Sequence, residues 1–304
     1  MNRQDLAKAL DLSAISARSQ LRDYTQFVND DVAWQQLTKT RGAQIKRAAW
    51  KLRLLRAFKA KARRSEDYVA KYYVRWQKTT LAATNPKTEP INVPVTWRDV
   101  RMLMSFWGWR YVYLLRLYRL IELTRPRKVL EVGCGSGFFP TMLACRFPDI
   151  EFHGLELTVE GVQSAKDGQA LDRLPQPLVD FSPEPVVDVT GHKRVVFHRG
   201  SAKEMPFEDN TFDLVYTVCS IEQMEIIRHA ALTEIARVTG RYLANYEPFY
   251  EMNARGLQRS YIQAMDFFKG PVSELKDFGL RPVYIDDDMP QKFYMNVALV
   301  VSEK

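Results

Sequence analysis

The chain has 304 residues, of which 46% are hydrophobic and 26% charged, and its formal net charge is +8. That is enough apolar material for a large globular core, and the composition excludes a disulfide scaffold or a low-complexity chain. The most apolar run, Met102 to Leu115, is broken by Arg110 and falls short of the roughly 18 uncharged residues that a membrane span needs.

Cys134, Cys145 and Cys219 show no CxxC or Cys/His spacing. No metal site is expected from them, and a cytoplasmic, reducing location is the default. The first residues carry Arg3, Asp5 and Lys8 and no apolar core with a cleavage site, so they do not read as a secretory signal. Charge is unevenly spread. Residues 1–90 hold 19 Lys and Arg against 8 Asp and Glu, a balance of +11, while residues 91–304 hold 25 against 28, a balance of −3.

Residues 1–83 lack proline and contain only Gly42, which predicts helices throughout. Asn29 or Asp31 is the expected cap of a helix over 32–37, with a break at Thr40-Arg41-Gly42. Residues 43–64 carry nine basic side chains, among them Lys46, Arg47, Lys51, Arg53, Arg56 and Lys59, interleaved with Ile45, Trp50, Leu54, Leu55 and Phe58. Such a helix suits an anionic membrane surface or, less well, a nucleic acid; a solvated basic face over a packed stripe is the plainer alternative. Residues 82–90, with Pro86 and Pro90, form the best linker. The expected organisation is a basic helical extension, 1–90, followed by a second domain, 91–304. Thr96 is read as the cap of a long aromatic-rich helix to about Leu123, ended by Arg125-Pro126-Arg127.

From Lys128 onward strands and helices alternate: strands at 129–132, 151–157, 195–198, 212–217 and 241–246, with helices at 138–146, from 159, and at 226–238. The pattern predicts an α/β fold, a doubly wound, mainly parallel sheet with helices on both faces. Residues 252–278 look helical, with Gly279 as a C-terminal cap. Two strands, 281–286 and 293–302, close the chain.

The stretch that organises this alternation is Val129-Leu130-Glu131-Val132-Gly133-Cys134-Gly135-Ser136-Gly137-Phe138. It reads as a buried strand, a tight turn and a helix opening beneath a ligand. A dinucleotide fingerprint requires G-x-G-x-x-G, and the place of its last glycine is taken by Phe138. Glu131 beside phosphates would also cost roughly 4 kcal/mol per unit-charge pair at 4 Å near a surface. A cationic, phosphate-free ligand removes the objection.

The motif E-V-G-C-G-S-G resembles the first motif of the class I S-adenosylmethionine-dependent methyltransferases, nearest to their small-molecule branch. The resemblance covers about residues 126–302. It implies a seven-stranded sheet with an antiparallel last strand, S-adenosylmethionine as cofactor, and an acceptor-selecting lid insertion at about 249–278. Glu131, Gly133, Cys134, Gly135 and Gly137 fall on its first motif. Glu156, ending the second strand 25 positions after Glu131, is placed to accept the ribose hydroxyls, with Leu157 beside it. The block Gly200-Ser201-Ala202…Met205-Pro206-Phe207…Thr211-Phe212-Asp213-Leu214-Val215 follows the family's Gly-Asp-Ala block, with Ser201 in place of the adenine-binding acid. Ser201 and Ala202 are then the adenine contacts, and Glu204 is a spare.

After the fourth strand the family reads Glu-His, where this chain has Glu222-Gln223. The usual histidine base is missing. Cys219 and Gln223 remain as cofactor contacts, and Glu222 and Glu247 as the acids able to take a proton at the sheet's carboxyl edge. None of the four histidines is assigned to catalysis. Arg255, Arg259 and Tyr261 are read as acceptor-binding and suit an acidic or glycosidic acceptor, a saccharide or lipid-linked saccharide hydroxyl being preferred. Trp107, Arg110 and Tyr111 are candidate lid residues. The alternatives are an RNA methyltransferase that grips phosphates through residues 43–64, and a non-catalytic scaffold that keeps the fold.

Overall fold

The computed structural model describes residues 3–13, 20–58, 81 and 84–304. In chain order, helix α1 (Arg3–Leu10) buries Leu6 and Leu10, and strand β1 (Thr25–Phe27) precedes the long helix α2 (Asp31–Phe58). The expectation of helices throughout 1–83 is therefore corrected at β1. The cap of α2 is Asp30, whose Oδ1 accepts from the Val32 amide at 2.8 Å and the Ala33 amide at 3.2 Å. The expected break at Thr40-Arg41-Gly42 is absent. An interior glycine weakens a helix by only about 1 kcal/mol, and a Cβ at Gly42 would meet Leu257 and Phe293 at ordinary contact distances of 3.7 and 3.9 Å. Within the basic stretch, residues 59–64 lie outside the described residues.

Strands β2 (Val93–Trp97) and β3 (Val100–Met104) form a hairpin turned at Arg98, whose φ is 54°. Thr96 thus sits in a strand and caps nothing; Pro94, Val95 and Trp97 of that strand are buried. Helix α3 (Phe106–Thr124) starts after Ser105 and ends at Arg125 in the left-handed conformation, where the sequence places its end.

The large sheet follows: β4 (Lys128–Val132), α4 (Phe138–Arg146), β5 (Glu151–Glu156), α5 (Val159–Gln169), α6 (Gln176–Phe181), β6 (Val196–Arg199), β7 (Phe212–Val218), α7 (Arg228–Val238) and β8 (Thr239–Glu247). After α8 (Gly256–Met265) come β9 (Arg281–Asp286), β10 (Gln291–Lys292) and β11 (Ala298–Glu303). Residues 252–278 are not one helix: Asp266 at φ 54° stops α8, and a 3-10 segment over Val272–Phe278 ends at Gly279.

The seven strands lie in the order β6-β5-β4-β7-β8-β11-β9. The first five are parallel, and β11 inserts antiparallel between β8 and β9. Alternate residues of β4 bury opposite faces: Val129 joins the core with α3 and α4, and Leu130 the core with α7. A smaller sheet, β1-β3-β2-β10, draws its strands from both ends of the chain.

Candidate active site

At the end of β4 the backbone turns through Gly133 (φ 78°), Gly135 (φ 56°) and Gly137 (φ 75°) into α4. A Cβ on Gly133 would stand 2.5 Å from the Ser220 Cβ, and one on Gly137 2.5 Å from the Phe197 ring. Glycine is demanded at both by conformation and by packing. Ser220 Oγ donates to the Val132 carbonyl at 2.6 Å, tying the loop after β7 to the end of β4.

Between these loops and α3 lies a cavity of about 390 Å³. One side is lined by Glu131, Gly133, Cys134, Gly135, Glu156, Leu157, Ser201 and Ala202, with Cys219 and Gln223 from the loop after β7. Every residue assigned to the cofactor from the sequence is thus brought to one cavity except Gly137, which starts α4 and packs on Phe197 instead.

Glu131 is buried, and loss of hydration pushes its carboxyl up to about 8; the Tyr216 hydroxyl, donating to it at 3.2 Å, and the Arg110 guanidinium pull the other way. Glu156 Oε2 accepts from the Gly135 amide at 3.0 Å. Its Oε1 accepts from the Thr158 amide at 2.9 Å and the Thr158 hydroxyl at 2.7 Å. The acid at the tip of β5 therefore shapes the glycine turn as well as facing the cavity.

The lining is completed by Phe106, Trp109, Arg110 and Tyr113 from one face of α3, with Glu222, Met224, Ile227, Lys292 and Met295. Of the three candidate lid residues only Arg110 lines the cavity. Its guanidinium lies 4.5 Å from the Trp107 ring and 4.8 Å from the Phe138 ring. Trp107 turns to Phe138 and Phe181, and Tyr111 to Phe181.

Glu222 and Glu247 have different surroundings. Glu222 lines the cavity and accepts from Gln223 Nε2 at 2.8 Å. Glu247 does not line it. It is fully buried and gathers the amides of Ser220, Ile221 and Glu222 at 3.0, 3.1 and 3.0 Å, so it shapes the loop that presents Glu222. Burial, reinforced by the Glu222 charge, raises the Glu247 carboxyl to about 8 against the pull of those amides.

The structure takes Arg255, Arg259 and Tyr261 away from the cavity. Helix α8 packs on α2; Arg259 lies over the Tyr250 ring and Tyr261 against Phe267 and Tyr294. None of the four histidines lines the cavity either. Sequence reasoning missed Trp109, Tyr113, Lys292 and Met295 as site residues. The first two were within reach, since 106, 109, 110 and 113 share one helical face. Lys292 and Met295 carry no motif and arrive only through the small sheet.

A glycine turn at the first parallel strand, an acid ending the second, and a 3-2-1-4-5-7-6 sheet with its seventh strand reversed are the arrangement of a class I S-adenosylmethionine-dependent methyltransferase domain, and S-adenosylmethionine is the cofactor that such a domain takes. Residues 130–241 match the methyltransferase domain family. Among curated relatives, 27-O-demethylrifamycin SV methyltransferase of Amycolatopsis mediterranei (strain S699) is 26% identical over 57% of this chain and 60% of its own length. Trans-aconitate 2-methyltransferase of Rhodococcus jostii (strain RHA1) is 33% identical over 30% of this chain and 35% of its own length. This chain thus spans less than two thirds of the length of these curated relatives. A solved S-adenosylmethionine-dependent methyltransferase from Methanosarcina mazei is 14% identical with a TM-score of 0.45, covering 58% of this chain and 92% of that one.

Proposed function

We propose that this protein transfers the methyl group of S-adenosylmethionine to a small-molecule acceptor. The observation that supports this most is the single cavity in which the glycine turn and Glu156 meet an aromatic wall. The residues lining the cavity fit the cofactor: Glu131 would hold its ammonium, Glu156 its ribose, Ser201 and Ala202 its adenine, and Arg110 its carboxylate. When bound, the cofactor supplies an electrophilic methyl on a sulfonium.

The chain's own contribution is alignment and proton handling. Phe106, Trp109, Tyr113 and Met295 give the space beside the turn an apolar lining. Alignment of this kind is worth up to about 7–11 kcal/mol in favourable systems. Glu222 is the acid on the acceptor side of the cavity and is the proposed proton acceptor; Glu247 acts by holding its loop. The relatives support a small acceptor through their names, a rifamycin derivative and trans-aconitate. A saccharide or lipid-linked saccharide acceptor rests on Arg255 and Arg259, and both stand off the cavity. Among the described residues, the basic stretch 43–64 contributes nothing to the cavity lining, so an RNA acceptor gains no support from the site.

Calorimetry tests the reading. S-adenosylmethionine is expected to bind while NAD does not, and Glu156→Ala to weaken binding severely. Glu222→Gln is expected to keep cofactor affinity and lower turnover about 100-fold or more once an acceptor is in hand. Wild-type affinity in Glu156→Ala would overturn the cofactor assignment, and turnover within a few-fold of wild type in Glu222→Gln would remove that base.

A further inference from the structure

One cation of the cavity has no task in the cofactor site. Lys292, in the two-residue strand β10, lines the cavity together with Met295. Its Nζ stands 5.1 Å from the centroid of the Trp109 ring, and among the described residues no carboxylate lies within ion-pairing distance of it.

The backbone beneath this lysine is firmly held. Lys292 pairs with Val95 of β2, and its carbonyl accepts from the Met295 amide at 3.1 Å. Trp109 Nε1 donates to the Pro290 carbonyl at 2.8 Å, and Trp97 Nε1 to Asp288 at 2.8 Å. A charged side chain on so fixed a segment is presented at a set place rather than left to wander.

The other charges lining the cavity have matches: Glu131, Glu156 and Arg110 answer the cofactor, and Glu222 the departing proton. Lys292 is left over, against aromatic and thioether walls. An ammonium that loses hydration there gains most from an anion.

We propose that Lys292 anchors the acceptor, and that the acceptor is an organic anion whose carboxylate or phosphate meets the ammonium while its apolar body lies against Trp109 and Tyr113. This rests on the methyltransferase reading. It adds a substrate class and a specificity-determining residue supplied by the small sheet.

The test uses the full chain saturated with S-adenosylhomocysteine and titrated calorimetrically with phenylacetate and phenyl phosphate, beside neutral phenylacetamide and benzyl alcohol. At least one anion is expected to bind about tenfold or more tightly than its neutral counterpart, and which one does so tells carboxylate from phosphate. The preference should vanish in Lys292→Met and persist in Lys292→Arg, with S-adenosylhomocysteine affinity close to wild type in both. Equal binding of charged and neutral probes, no binding of any of them, or a preference retained in Lys292→Met overturns the proposal. So does a parallel loss of S-adenosylhomocysteine affinity in Lys292→Met, which would assign the lysine to the cofactor. Failure of the wild type to bind S-adenosylhomocysteine is a distinct result, which removes the methyltransferase reading and this proposal with it.

Discussion

The seven-stranded sheet takes its five parallel strands from one continuous stretch, Lys128 to Glu247, each strand following the last through a crossover. The four-stranded sheet instead gathers Thr25–Phe27, Val93–Trp97, Val100–Met104 and Gln291–Lys292, which are separated by most of the chain. The first carries the residues proposed to hold the cofactor, on turns that follow directly from its own strands. The second carries Lys292, proposed to anchor the acceptor, and abuts α3, whose aromatic face lines the same cavity. The contrast separates two design problems. The proposed cofactor side is built from local geometry, a turn and the acid at the next strand's tip. The proposed acceptor side depends on parts assembled through space, and its integrity depends on whatever clamps those parts together.

Breaking the first side should give the largest effect. Gly133→Val places a branched side chain at φ 78° and against Ser220, so calorimetry should show no cofactor binding at concentrations that saturate the wild type. Retained affinity would mean that the turn is not the cofactor's cradle.

The clamp on the second side is next. Arg116 is fully buried and pairs with Asp286, and its Nη2 also donates to the Asp288 carbonyl at 3.0 Å, holding the segment that leads to Lys292. Arg116→Met leaves Asp286 uncompensated and is expected to destabilise the protein by about 3–5 kcal/mol in denaturant unfolding. The same variant, kept folded at low temperature, should lose less cofactor affinity than Gly133→Val. A stability loss below about 1 kcal/mol would show that the small sheet does not depend on this pair.

A pH profile sharpens the comparison further. Glu247 and Glu131 both have carboxyls raised to about 8 from an ordinary 4.5. In that window the folded protein binds more protons than the unfolded chain, so stability is greatest below the ordinary value and declines as pH rises through 8. The melting temperature of the ligand-free protein should therefore fall between pH 5 and 8. Glu247→Gln removes one titrating group and should flatten part of the slope; an unchanged slope would clear Glu247 of responsibility.

The smallest effect concerns α2, proposed to associate peripherally with anionic membranes. Trp50 is 67% exposed beside Lys46, Arg47 and Lys51. Among the described residues no helix is long and apolar enough to cross a membrane. Full-length protein should co-sediment with phosphatidylserine-containing vesicles, with the bound fraction reduced in Trp50→Ala and by salt. Binding to RNA with a steep salt dependence and none to vesicles would reverse that reading.

Much of the large sheet was legible beforehand because its information is local. Residues 138–146 were read as a helix with the boundaries observed, and β4, β5 and β7 within a residue or so. β-Branched runs, glycine turns and strand-ending acids act on neighbours a few residues away, so Glu131, Gly133 and Glu156 could be singled out without a fold in hand. The small sheet was not legible. Its strands of 2 to 5 residues are too short to show a period, and Thr25–Phe27 lies in a glycine-poor, proline-free stretch that reads as helix.

By itself the sequence determined the parallel α/β alternation, the glycine turn, the two acids that flank it and the cationic ligand they suit. Only the tertiary structure decided which face of Phe106–Thr124 closes the cavity, that Glu247 braces a loop while Glu222 lines the site, that Arg255 and Arg259 stand elsewhere, and that Lys292 belongs to it. The reason is physical: a side chain's conformation and turn preference are set within a few residues, whereas its neighbours across a cavity are set by how buried surfaces from distant segments fit together.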